Sequence, residues 1–186
     1  MMKLCRWLLP LLPAFAISQS MAATTKMAGL IGGDLRFTGK VVALPCDVAP
    51  GDEKVPVDFK QIALKDLVND RTTKPIPFTI HLLNCNAVVF ESVTISFSGN
   101  ESPKLPNRLM ITPEGAGDMS AIGVGLQLKD GSPVTLKQAS PAVALSQGSM
   151  SLDFFAFVEA DTEEIKSGNV AFGPFTSVAQ YTLSYQ

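Results

Sequence analysis

The chain has 186 residues, of which 46% are hydrophobic and 17% charged, with a formal net charge of −2. That is enough for one domain with a real core, and the balance excludes a disordered chain and a phosphate-binding basic surface. The single histidine, His81, excludes any site needing two, and three cysteines are too few for a structural zinc site without histidine partners.

Lys3 and Arg6 give a positive start, Trp7 to Ile17 is an apolar run, and Ser20 and Ala22 supply small residues two apart. This pattern predicts a secretory signal over residues 1–22, cut between Ala22 and Ala23. The apolar run is too short to span a bilayer, and Pro10 and Pro13 oppose a buried helix. Residues 23–34 are small and Gly-rich and read as an arm ahead of the first strand. Gly29, Gly32 and Gly33 do not make a phosphate loop, because no strand precedes them and no helix follows.

Beyond the arm, apolar residues recur with a period of two. Leu35, Phe37 and Val41 alternate with polar neighbours, as do Phe78, Ile80 and Leu82, and then Val93, Ile95 and Phe97. Ile122, Val124, Leu126 and Leu128 alternate around Gly123, Gly125 and Gln127. Leu152, Phe154, Ala156 and Val158 follow, and Tyr181, Leu183 and Tyr185 close the chain. Turn residues punctuate these runs at Pro50-Gly51-Asp52, Gly99-Asn100, Pro113 to Asp118, Lys129-Asp130-Gly131 and Ser167-Gly168-Asn169. Many short strands at this spacing predict an all-β antiparallel sandwich or barrel. Ile62 to Val68 reads as a short helix or turn. No linker divides the body.

Cys46 and Cys85 remain after the signal is removed. An even pair in an exported chain reads as a disulfide, closing a loop worth about 4 kcal/mol in the chain-entropy model. A catalytic thiol is the rival reading, and it lacks both a Cys-x-x-Cys motif and a base other than His81. His81 lies on the opposite parity from Ile80 and Leu82 and reads as a half-solvated strand position. Asp58, Asp66 and Asp70 read as scattered rim carboxylates without acid–base spacing. The acidic run of Glu159, Asp161, Glu163 and Glu164 reads as a solvated hairpin. No catalytic residue, metal site or cofactor is implied, and the chain does not read as an enzyme.

Phe37-Thr38-Gly39-Lys40-Val41-Val42-Ala43-Leu44-Pro45-Cys46 resembles the opening of chaperone–usher pilus subunits of Gram-negative bacteria, above all those of type 1 fimbriae. Phe78 to Cys85, with its Asn84-Cys85 ending, resembles the strand carrying that family's second cysteine. Ala121 to Leu128 resembles its glycine-alternating strand, and Gly173 and the penultimate Tyr185 fall where the family marks a glycine and a tyrosine.

The resemblance implies an immunoglobulin-like sandwich lacking its final strand, with an N-terminal donor-strand extension over residues 23–38 and the pilin domain over 39–186. It implies a groove beside a last strand from Phe175 to Gln186. A periplasmic chaperone would fill the groove first, and the next subunit's arm would do so in the fibre. Gly33, Leu35, Phe37, Gly39 and Val41 would form the donor face, with Gly39 where no side chain fits. From Val41 onward the same segment would also serve as the body's own first strand. Leu35, Phe37 and Val41 would contribute roughly 5–9 kcal/mol of gross burial. Gly173, Phe175, Ala179, Tyr181, Leu183, Tyr185 and Gln186 would edge the groove and meet the chaperone. The implied partners are neighbouring fimbrial subunits, the chaperone and an outer-membrane usher. The implied destination, reached through the periplasm, is a surface fimbria serving cell adhesion. Two other roles are a tip adaptor and a small carbohydrate-binding adhesin module.

Overall fold

A strand buried on one face needs an apolar residue at every second position and neighbours on both sides for its backbone groups. The alternating runs meet that need by pairing with one another. The computed structural model describes residues 33–41, 45–115, 117–168 and 172–186. The expected signal segment and the Gly-rich stretch up to residue 32 lie outside the described residues, as do residues 42–44.

In chain order the elements are β1 (Asp47–Val48), α1 (Leu64–Asp70), β2 (Ile76–Cys85), β3 (Ser92–Gly99), β4 (Leu109–Met110), β5 (Thr112–Pro113) and β6 (Ile122–Leu128). There follow β7 (Val143–Ala144), β8 (Gly148–Ala160), α2 (Thr162–Lys166), β9 (Phe175–Thr176) and β10 (Ala179–Tyr185). One sheet has the order β1-β2-β8-β6-β4, a second has β10-β3-β7, and β5 pairs with β9. Every ladder is antiparallel.

The inner faces of the two larger sheets form one core. Ile80, Leu82 and Val158 from the first meet Val93 and Ile95 from the second, all 2% exposed or less. Phe97 of β3 packs edge-on against Phe78 and Phe154, with centroids 6.2 and 5.0 Å apart. Edge-to-face contacts of this kind add about 0.5–1.5 kcal/mol beyond area burial. The Cys46–Cys85 disulfide staples the chain just before β1 to the end of β2.

The glycine alternation in β6 has a steric cause. A Cβ at Gly125 would lie 2.3–2.8 Å from the ring of Phe157 on the neighbouring β8, so the ring occupies the space that glycine leaves. The Arg108 guanidinium sits 5.2 Å above the same ring.

Three features differ from the sequence reading. The acidic run does not form a hairpin: the Asp161 side chain caps α2 by accepting from the backbone of Glu163 and Glu164. Glu159, with its side chain 12% exposed, bridges Arg71 at 3.2 Å and Arg108 at 2.6 Å. The stretch Phe175 to Gln186 is two strands, because Phe175–Thr176 turns to pair with Pro113 and Thr112 while Ala179–Tyr185 pairs with β3. Pro113, read as a turn residue, therefore belongs to β5. Among the described residues the first strand is Asp47–Val48 and Val41 itself lies in no strand; residues 42–44, on which the expected first strand also falls, lie outside the described residues. The short α1 occupies the place expected of a helix or turn.

Residues 33–41 form a unit separate from the body that follows Val41. They have no helix or strand, and Leu35, Phe37 and Val41 are 84%, 89% and 100% exposed.

Candidate acceptor groove

Among the described residues β10 has a ladder partner, β3, on one side only. Its register against β3 runs from Ala179↔Gly99 to Tyr185↔Val93, and no strand among the described residues pairs with its other edge. Tyr181, Leu183 and Tyr185 alternate inward, half-buried against the core, while Gln180, Thr182 and Ser184 face out.

Across from this edge runs Val55–Phe59. Val55, Val57 and Phe59 pack against the core, whereas Pro56 and Asp58 are exposed. The burial has a strand's period, yet the segment joins no ladder among the described residues. Pro56 has no N–H to donate, and Asp58 satisfies the Lys60 backbone N–H at 2.7 Å. The Lys60 ammonium and backbone N–H hold the Asp58 carboxyl below the usual carboxylate range.

Between the two edges lies an open groove of about 1650 Å³. Its floor is the sandwich core: Ile80, Phe97, Leu109, Val124, Leu126 and Val158. The volume exceeds the roughly 300–1,000 Å³ of small-molecule pockets. A long apolar trough with an unpaired strand edge on one wall has the chemistry to accept another extended polypeptide, because the edge offers N–H and C=O groups and the floor offers apolar surface.

The groove narrows where the two walls touch. The Tyr181 hydroxyl donates to the Asp52 carbonyl at 2.8 Å. The Asp52 carboxylate in turn accepts from the His81 backbone N–H at 2.5 Å and meets His81 Nδ1 at 2.9 Å. The His81 backbone donor, then its ring, lowers the Asp52 pKa. Burial first, then the charges of Asp52 and Glu53, raises the Tyr181 pKa and keeps its hydroxyl a donor. His81 is thus a half-exposed strand residue that anchors the loop opening the Val55–Phe59 wall.

Of the groove-edge residues named from sequence, Gly173, Phe175, Ala179 and Tyr181 line the trough. Gly173 has a φ of 144°, a region that favours glycine. Leu183 and Tyr185 continue the same strand beyond it. The Gln186 carbonyl oxygen accepts from Glu91 and Ser92 N–H groups at 2.7 and 3.0 Å, tying the chain end to the start of β3. Gly33, Leu35, Phe37, Gly39 and Val41 are all exposed. Sequence reasoning missed the Val55–Phe59 wall and the Asp52–Tyr181 contact. The Val-Pro-Val-Asp-Phe alternation was the available signal for the wall. Among the described residues no cluster of three His, Cys, Asp or Glu could hold a metal, and no helix is long and apolar enough to cross a membrane.

The described architecture is similar to that of the P pilus rod subunit PapA, with a TM-score of 0.63 at 23% identity over 77% of this chain and 100% of that one. The chain is 36% identical to a Proteus mirabilis (strain HI4320) protein described as "Putative minor fimbrial subunit PmfF", over 88% of this chain and 90% of the relative. It is 31% identical to the fimbrial adapter PapK of Escherichia coli over 84% of this chain and 89% of PapK. Residues 35–186 match the family described as Fimbrial protein. With that match spanning the whole body and the last residues of the arm, the chain belongs to the fimbrial protein family.

Proposed function

We propose that the groove receives a β-strand from another polypeptide and that the chain is a structural subunit of a surface fimbria of a Gram-negative bacterium, contributing to cell adhesion. One observation carries the reading: among the described residues the outer edge of β10 is unpaired and faces an open apolar trough, in a chain whose residues 33–41 alternate in sequence and are exposed. An edge of this kind left open invites aggregation, so a supplied strand both completes the sheet and protects it. In the fibre the donor is the arm of the next subunit, with Gly33, Leu35, Phe37, Gly39 and Val41 facing the floor. Before export a periplasmic chaperone lends the strand along Phe175–Gln186 and holds the chain end, and an outer-membrane usher exchanges it. The chain acts as a scaffold and not as an enzyme. The similarity to PapK supports a second reading, an adaptor position within the fibre.

Phe37→Glu tests the donor face, because a carboxylate set into an apolar floor carries a desolvation penalty. The variant is expected to co-purify with the chaperone as the parent does and to be absent from sheared surface fibres. Normal incorporation removes Phe37 from the donor face. Deleting Tyr181 to Gln186 is expected to abolish chaperone co-purification, and retained binding contradicts the role given to the last strand.

A further inference from the structure

Two exposed apolar patches lie at opposite ends of the body, outside the groove floor. At one end Val88 and Val89, 87% and 65% exposed, form the tip of the loop between β2 and β3. At the other end Phe172 and Val178, 76% and 74% exposed, rim the groove where β10 begins. The β10–β3 register sets Tyr185 beside Val93 and Ala179 beside Gly99. Six residue steps of strand separate these pairs, roughly 20 Å. Adjacent exposed apolar side chains at a loop tip are a feature of interaction surfaces.

We propose that these patches meet: the Val88–Val89 tip of one copy packs on the Phe172–Val178 rim of the copy that receives its arm. The inference rests on the donor-strand reading. Every ladder in the body is antiparallel, so an arm entering beside β10 in the same sense starts near Tyr185 and ends, at Val41, near the rim. From Val41 to Pro45 is four residue steps, at most about 14 Å of chain. The donor's Pro45 carbonyl accepts from its own Asn86 N–H at 2.7 Å, which holds the Val88–Val89 tip beside the point where the arm leaves the body. The covalent reach therefore sets the donor's tip against the acceptor's rim. The contact joins two different surfaces, so it repeats from copy to copy without closing, as a fibre requires.

The test uses the full chain, a synthetic peptide of residues 33–41, and fibres. Val88→Asp with Val89→Asp is expected to leave peptide binding at the parent level while fibre growth slows at least about tenfold, the cost of a charge against apolar surface. Adding Val178→Lys to the acceptor is expected to restore growth. Separately, Val89→Cys fibres mixed with Val178→Cys copies are expected to form an intermolecular disulfide ladder. Normal peptide binding with unchanged growth and no ladder overturns the end-to-end contact and leaves the donor-strand reading standing. Failure of the parent chain to bind the peptide overturns the donor-strand reading and this inference with it.

Discussion

Tyr181 and Asp52 join the two walls of the groove through one hydrogen bond, the phenol of β10 donating 2.8 Å to the backbone carbonyl of the loop before Val55. Any strand that pairs with β10 past Tyr181 has to pass this bond or displace it. The bond thus separates the wide part of the trough from the stretch beside Leu183 and Tyr185.

Tyr181→Phe keeps the ring in the core and removes only the donor. The expected result is faster association of the peptide of residues 33–41, followed by fluorescence anisotropy, because nothing has to open first. The hydrogen bond itself is worth about 1 kcal/mol, so the unfolding free energy of the peptide-free chain, measured in urea, is expected to fall by that amount. Slower association, or no change in either quantity, contradicts a bond that narrows the groove.

The Cys46–Cys85 disulfide ties the start of β1 to the end of β2, the two strands that also bond through Asp47↔Leu83 and Val48↔Leu82. Replacing both cysteines with serine is expected to lower stability by about 4 kcal/mol, the loop-entropy value for a closure of this length. Urea unfolding with the peptide bound measures it. A loss below about 1 kcal/mol implies that the β1–β2 pairing restricts the reduced chain as much as the covalent bond does.

The strands β2, β3, β6, β8 and β10 were legible because each buries one face of a sheet, and burying one face imposes a period of two on the residues themselves. The disulfide was legible for a different reason, the parity of cysteines in an exported chain. Val55, Val57 and Phe59 carry the same period, yet what makes them a groove wall is the lack of a ladder partner among the described residues, a property of the rest of the fold and not of their spacing. Glu159 shows the same limit. Within its local run it reads as one more surface carboxylate, and only the fold brings Arg71 and Arg108 to it from distant parts of the chain. Leu35 and Phe37 alternate like strand residues but are exposed and, among the described residues, lie in no ladder. Alternation reports that a face is suited to burial and is silent on which molecule covers it.

Gly125 and Phe157 form a coupled pair, because the ring fills the volume that the missing side chain leaves. Gly125→Val is expected to cost about 1–3 kcal/mol by overpacking. In a Phe157→Ala background the same substitution is expected to cost less, since the obstructing ring is gone. A double-mutant cycle in urea is therefore expected to show the double variant losing less stability than the sum of the two single losses. Additive losses mean that the β6 glycine is needed for some reason other than the ring.

Asp52 gives the groove a dependence on pH whose sign follows from its partners. The His81 backbone N–H, and then its ring, hold the Asp52 pKa below the unfolded value. A depressed carboxylate contributes stability that is present above the unfolded pKa, about 3.9, and is lost as pH falls through the lower folded value. Asp52→Asn is therefore expected to lower stability at neutral pH and to converge with the parent in strong acid. The same substitution loosens the loop that carries the Tyr181 contact, so peptide association is expected to quicken at neutral pH and to match the parent's rate under acid conditions. Urea midpoints and anisotropy traces taken across the acid range measure both effects. A constant offset between variant and parent at every pH contradicts a role for the ionised Asp52 carboxylate in holding the groove wall.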